Sequence, residues 1–222
     1  MPNDTNICNT KKPLVIVGAG DFGREAAWVV ERMNECGDSW ELLGFVDDDS
    51  AVQGTMPGGY PVLGTTSWFE SQTRKLWAAC SIGKGTVRRS VTDRVFKQPN
   101  ISPALLIDPS VIIGRGSEIG AGSIICAGTV LAINCVLGEH TIVNFNCTVG
   151  HDTVLETCCT VHPGCNISGK VYVGCCTDIG TGTKVIQGVS IAPGTILGAG
   201  AVVIGSLERS GTYVGIPVKK VK

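Results

Sequence analysis

Eighteen aliphatic residues recur at intervals of six without a miss, from Ile101 through Ile107, Ile113, Ile119, Ile125, Leu131, Leu137, Val143, Val149, Leu155, Val161, Ile167, Val173, Ile179, Val185, Ile191 and Leu197 to Val203. A fixed short period of this kind marks a solenoid, whose repeats bury their apolar side only by stacking on their neighbours.

A second register supports this. The residue four after each aliphatic is almost always small or β-branched between Val111 and Ala201. Successive strand side chains alternate faces, so this residue and the aliphatic two positions later point the same way, into the coil. Cys135, Cys147, Cys159 and Cys165 occupy this slot as compact hydrophobes. Gly114, Gly120, Gly138, Gly150, Gly174, Gly180 and Gly198 directly follow an aliphatic, where a tight bend is expected.

The 222 residues allow two domains, and composition shifts near residue 100, giving 1–100 and 101–222. A formal net charge of -1 and the lack of a basic stripe argue against a nucleic-acid partner. The leading MPNDTNICNTKK has no apolar core, and no run of about eighteen apolar residues offers a membrane span. A soluble cytoplasmic protein with no membrane partner is expected, its eleven cysteines reduced.

In the first hundred residues, the apolar run PLVIVG leads into Gly18, Gly20 and Gly23, spelling G-x-G-x-x-G, and then a helical stretch over about residues 23–34. Strand, phosphate loop and helix in this order present free N–H groups and a positive helix end to an anion. A second strand over residues 42–46 ends in Asp47, Asp48 and Asp49, acidic groups able to accept hydrogen bonds from a ribose or base. A third segment, residues 76–83, precedes a helix over residues 87–96. Alone the glycine motif is weak, because a strand-to-helix turn needs no ligand. Fewer than ninety residues also make only half of a dinucleotide fold, so a mononucleotide fits better than NAD.

The hexapeptides resemble those of the left-handed parallel β-helix acyltransferases, in which three hexads make one triangular coil. The order of motifs resembles the bacterial nucleotide-sugar N-acetyltransferases from about residue 13 to the C-terminus: G-A-G-x-x-G-R-E, an acidic V-D-D strand end, S-I-G before Arg88 and Arg89, hexapeptides, and a closing Y-V-G-I-P-V-K. The resemblance implies a small Rossmann-like domain followed by a left-handed parallel β-helix, an α/β plus β architecture. It implies a homotrimer with active sites between subunits, and acetyl transfer from acetyl-CoA to the 4-amino group of a nucleotide-linked sugar for surface glycans or glycoproteins. General crossover chirality would have given the opposite hand.

Amide formation needs a base for the amine proton and a donor for the developing oxyanion. The only histidines are His140, His151 and His162; the repeat puts the first two on coil corners and the third facing outward. Val-Gly-His-Asp stands where the family carries its G-H-[DE] motif, which implies His151 as base with Asp152 orienting it. The family's second histidine, nine residues on, is Thr160 here, so Thr160 or His162 is left to meet the thioester. Carried over by position, Gly169, Thr181, Ala199, Gly215 and Lys219 contact acetyl-CoA, with the Gly169 N–H a candidate oxyanion donor. The nucleotide sugar falls to Gly20, Asp21, Phe22, Gly23, Asp47, Asp48, Ile82 and Gly83. Asp21 sits awkwardly beside a diphosphate, and a helix N-cap is its other reading.

Two rivals stand beside this. Another class of left-handed β-helix trimers holds zinc on three histidines and acts as a lyase, but histidines eleven apart do not stack in an eighteen-residue coil. His140, Cys158 and Cys176 do share one corner of successive coils, and with a fourth ligand could hold zinc; cysteine is merely frequent here, and no metal is expected. A non-catalytic trimeric sensor of sugar nucleotides is the second rival, against which the His-Asp motif speaks.

Overall fold

The computed structural model describes residues 11–222. Its N-terminal unit is a four-stranded parallel sheet in the order β2-β1-β3-β4, built from β1 (Lys12–Val17), β2 (Trp40–Val46), β3 (Leu76–Cys80) and β4 (Ile101–Pro103). Helix α1 (Asp21–Glu35) follows β1, and α2 (Gly85–Val95) follows β3. Three short 3-10 turns replace a helix between β2 and β3. The first residue of the six-residue run, Ile101, thus lies in the N-terminal sheet, where β4 pairs with β3. Its aliphatic side chain satisfies either environment, so periodicity alone does not separate them.

From Leu106 to Val203 the chain winds as a left-handed parallel β-helix of two-residue strands paired, up to Val185, with the strand eighteen residues on; a closing strand, Thr212–Val214, pairs with Ile196–Leu197 at sixteen. Three flat faces result. The first carries Val136–Leu137, Val154–Leu155 and Tyr172–Val173; the second Ile124–Ile125, Ile142–Val143 and Thr160–Val161; the third Val130–Leu131, Thr148–Val149 and Asn166–Ile167. The second residue of nearly every strand is buried, and Cys135, Cys147, Cys159 and Cys165 have no exposed surface. Burial pushes the Cys159 thiol up to about 12, so it behaves as a small apolar group.

At the corners Gly114, Gly120 and Gly150 tolerate no bulk, as expected: a Cβ there would lie 2.4–2.5 Å from the backbone of the next coil. Close approach of stacked coils excludes a side chain. The left-handed position comes two residues later and is held by Gly116 and Gly122, but also by Asn134 (φ 56), His140 (φ 55), Asp152 (φ 58), Cys158 (φ 60) and Cys176 (φ 57).

The N-terminal unit sits on the second face. Leu106, Ile124 and Ile142, whose side chains leave that face, are buried in one cluster with Ala26, Val29 and Val30 of α1. Arg32 of α1 grips fully buried Asp108 with two nitrogens, at 2.5 and 3.2 Å. Arg88 of α2, 0% exposed, donates to the carbonyls of Ile82, Gly83, His140, Cys158 and Cys159 and to the Thr160 hydroxyl. Gly85 permits this approach, since a Cβ there would lie 2.3 Å from the Cys158 carbonyl oxygen.

Replacing Arg88 by Met leaves several buried acceptors unpaired at about 1–3 kcal/mol each. Arg88→Met is expected to lower unfolding stability by at least about 3 kcal/mol in denaturant titration, and Arg88→Lys by less. An unchanged midpoint for Arg88→Met would contradict this role.

Candidate functional site

At the carboxyl ends of β1, β2 and β3, where open parallel sheets bind ligands, two adjoining clefts of about 280 and 230 Å³ share Gly18, Asp47 and Ile82. Gly20, Asp21, Phe22, Gly23, Asp47, Ile82 and Gly83 line the larger, and Asp47, Asp48 and Ile82 the smaller. All eight residues expected at the sugar nucleotide are therefore brought together. Gly23 is required by packing: a Cβ would lie 2.2 Å from the Gly18 carbonyl oxygen. Gly20 faces open space.

The acidic residues here have distinct tasks. Asp47 accepts from the Ala19 N–H (2.7 Å) and the Asp49 N–H (2.9 Å), tying the end of β2 to the glycine loop. Asp48 accepts from the Thr66 N–H and hydroxyl (each 2.8 Å) and from Arg94 (2.9 Å). Partial burial pushes its carboxyl up, but these donors outweigh it and leave it below its usual value. Gly20, not Asp21, is the N-cap of α1. Asp21 stands in the first helical turn, exposed and paired with Arg24 at 2.5 Å, where its charge favours the helix dipole.

His151 and Asp152 occupy the corner between the third and first faces. His151 Nδ1 lies 2.8 Å from Asp152 Oδ2, and Asn134, one coil earlier, donates to Asp152 Oδ1 at 3.0 Å. Hydrogen bonds from His151 and then Asn134 hold the Asp152 carboxyl below its usual value. With Nδ1 engaged, Nε2 is left over Gly169, where a Cβ would come within 2.5 Å of it. A donated Nδ1–H leaves a lone pair on Nε2 for a proton.

His162 forms a second pair, its Nε2 2.9 Å from Asp178 Oδ1. The hydrogen bond to Asp178 pushes its pKa up against the opposing effect of burial. Thr160 does not meet the expectation of a coenzyme contact. It is buried, donates to the Gly83 carbonyl at 2.6 Å and accepts from Arg88 at 2.9 Å, so its hydroxyl is committed to the domain junction.

The other residues expected at acetyl-CoA border the third face. Thr181 and Ala199 are exposed on successive coils at the corner between the second and third faces, with Gly200 N–H donating to the Thr181 carbonyl. Gly169 lies across the third face, beneath His151. The Gly215 carbonyl accepts from Val202 N–H on the same face, and Lys219 is exposed nearby on the closing segment. Sequence reasoning missed Asn134 and Asp178. Asn134 was reachable, standing eighteen residues before Asp152.

Among the described residues no three of His, Cys, Asp and Glu are gathered to hold a metal ion. The His140, Cys158 and Cys176 column instead takes left-handed corner positions, with the His140 ring stacked on Phe96 at 5.1 Å. This arrangement gives the zinc reading no support. Nor is any helix among the described residues long and apolar enough to cross a membrane.

Residues 13–95 match the PglD N-terminal domain family. The acetyltransferase domain of PglB from Neisseria gonorrhoeae FA1090, solved with acetyl coenzyme A, is 29% identical over 95% of this chain and 100% of its own, with a TM-score of 0.87. WeeI from Acinetobacter baumannii AYE is 26% identical, covering 95% of this chain and 100% of its own, with a TM-score of 0.85. Perosamine N-acetyltransferase from Caulobacter crescentus, solved as a histidine-to-asparagine mutant with CoA and GDP-perosamine, is 27% identical over 95% and 97% of the chains, with a TM-score of 0.83. No curated protein sequence matches the chain. With a match to the PglD N-terminal domain, a left-handed β-helix, and whole-chain likeness to these enzymes, the chain is an acyltransferase similar along its length to the hexapeptide-repeat nucleotide-sugar N-acetyltransferases.

Proposed function

We propose that this enzyme transfers acetyl from acetyl-CoA to the 4-amino group of a nucleotide-linked amino-deoxysugar, in the cytoplasm and for surface glycan biosynthesis. The observation that carries the reading is the His151–Asp152 pair, with Nδ1 held at 2.8 Å and Nε2 without a hydrogen-bond partner among the described residues. In this reading the sugar amine attacks the thioester carbonyl, Nε2 of His151 takes the amine proton, and the Gly169 N–H faces the oxyanion. Asp152 fixes the tautomer and stabilises the imidazolium. The glycine loop and the start of α1 hold the diphosphate, and Asp47, Asp48 and Ile82 border the base and ribose.

One geometric feature supports a trimer with sites between subunits. The N-terminal unit, and with it the nucleotide cleft, lies on the second face, whereas His151 lies at the corner opposite that face. A cleft and a base on opposite sides of one prism serve one substrate only if neighbouring chains supply the two parts. The third face, bordered by Gly169, Thr181, Ala199 and Gly215, is then the side along which acetyl-CoA lies, with Lys219 near its phosphates.

Thiol release should appear when the protein is mixed with acetyl-CoA and a panel of UDP-, dTDP- and GDP-linked 4-amino-sugars. No release with any member would sink the reading. With the accepted sugar, His151→Asn is expected to lower kcat by ~10²–10⁴-fold, the usual contribution of a positioned base; unchanged turnover would remove His151 from that role. Gly169→Ala is the subtler test. Its Cβ displaces a movable imidazole rather than backbone, so kcat should fall about tenfold or more with little loss of thermal stability. Retained kcat would show that ring placement over Gly169 is not needed.

A further inference from the structure

His162 stands where the two substrates of the proposed reaction meet. Two residues earlier, Thr160 donates to the Gly83 carbonyl in the wall of the nucleotide cleft. Both side chains leave the second face on the same side, because alternate strand positions share a side. One coil further on, His162 N–H donates to the Ile179 carbonyl, which places Gly180 and Thr181 directly beneath, in the column expected to carry CoA. The ring is fixed through Nε2 on Asp178 and is 36% exposed. Among the described residues Nδ1 has no hydrogen-bond partner, so it is available to a ligand.

The charged and titratable groups around it are Asp178 from the next coil, Cys165 within the coil and Arg88 from α2. Asp178 dominates and favours the protonated ring, while burial and Arg88 oppose it. An imidazole whose protonated form is favoured by Asp178, with Nδ1 open to a ligand between cleft and coenzyme column, is placed to give a proton rather than take one.

We infer that the His162–Asp178 pair donates the proton to the departing thiolate of acetyl-CoA, an inference that rests on the acetyl-transfer reading above. As the amine nitrogen bonds to the acetyl carbon, the C–S bond breaks and its electron pair goes to sulfur. The amine proton passes to His151 Nε2. His162 Nδ1 supplies the sulfur proton, giving the free thiol of CoA, and solvent returns the proton from His151 to His162. No further reactant is needed. Asp178 acts as a positioning residue through the ring.

Leaving-group dependence tests this on the full chain. An alkyl thiolate, whose thiol has a pKa near ~8.5 in the case of cysteine, gains from protonation as it leaves, whereas a nitrothiophenolate does not. His162→Gln should lose about 10²-fold in kcat with acetyl-CoA but less than about threefold with acetyl nitrothiophenyl thioester, both with the same nucleotide amino-sugar. The acid must be protonated, so activity with acetyl-CoA falls as pH rises through the raised His162 value. Asp178→Asn removes the group that raises it and should move that falling limb to lower pH. Asp178→Asn also carries the donor comparison if His162→Gln does not fold. Equal losses with both donors, or an unmoved alkaline limb in Asp178→Asn, would overturn the proton-donor role while leaving the transferase standing. Absence of acyl transfer by the wild-type protein would overturn both.

Discussion

The buried guanidinium of Arg88 is the interaction on which the rest depends. Among the described residues it has no carboxylate partner; five backbone carbonyls and the Thr160 hydroxyl accept its hydrogen bonds. An isolated cation in a protein interior is strongly disfavoured, and these oriented dipoles replace the water it has lost. The acceptors come from both domains: Ile82 and Gly83 line the cleft at the carboxyl end of the sheet, while His140 and Cys158 to Thr160 are on consecutive coils of the β-helix. One side chain therefore sets where the cleft stands relative to the coils. Asp108, gripped by Arg32 on the far side of the same face, gives the second fixed point.

That placement shapes the chemistry. A regular prism offers three corners per coil, and a unit covering one face leaves the opposite corner open. His151 and Asp152 take that open corner, and left-handed backbone at Asp152 turns its carboxylate toward the ring. His162, by contrast, lies on the covered side beside the cleft. The two His-Asp pairs are thus separated within one chain, and only in the proposed trimer would one chain's pair meet its neighbour's.

Much of this was legible in the six-residue period. It locates the inward cysteines, the corner position of His151 and the outward position of His162, because a repeat with a constant rise makes sequence distance a measure of spatial distance. Extended to eighteen residues it also locates Asn134 above Asp152. The motif residues of the N-terminal unit gathered as expected because a glycine loop and the two neighbouring strand ends converge in any parallel sheet of this order. What escaped was the junction. Neither Arg88 nor Thr160 carries a local signal for burial: the first is a charged residue on a short helix, the second an outward polar residue on a strand. Only the docking of α2 against the coils buries both. Ile101 was misplaced for a related reason, since an aliphatic on the right beat fits a sheet strand as well as a coil.

The central claim, that cleft and base come from different chains, is tested most directly by subunit complementation. Gly20→Glu places an acidic side chain in open cleft space, and His151→Ala removes the proposed base; each variant alone should be nearly inactive. Reassembled together at equal amounts, they should recover about a quarter of wild-type turnover, since random mixing pairs an intact cleft with a neighbour's intact histidine at about that fraction of sites. Mixed oligomers that form but regain no activity would show that each site draws both parts from one chain, contradicting the account.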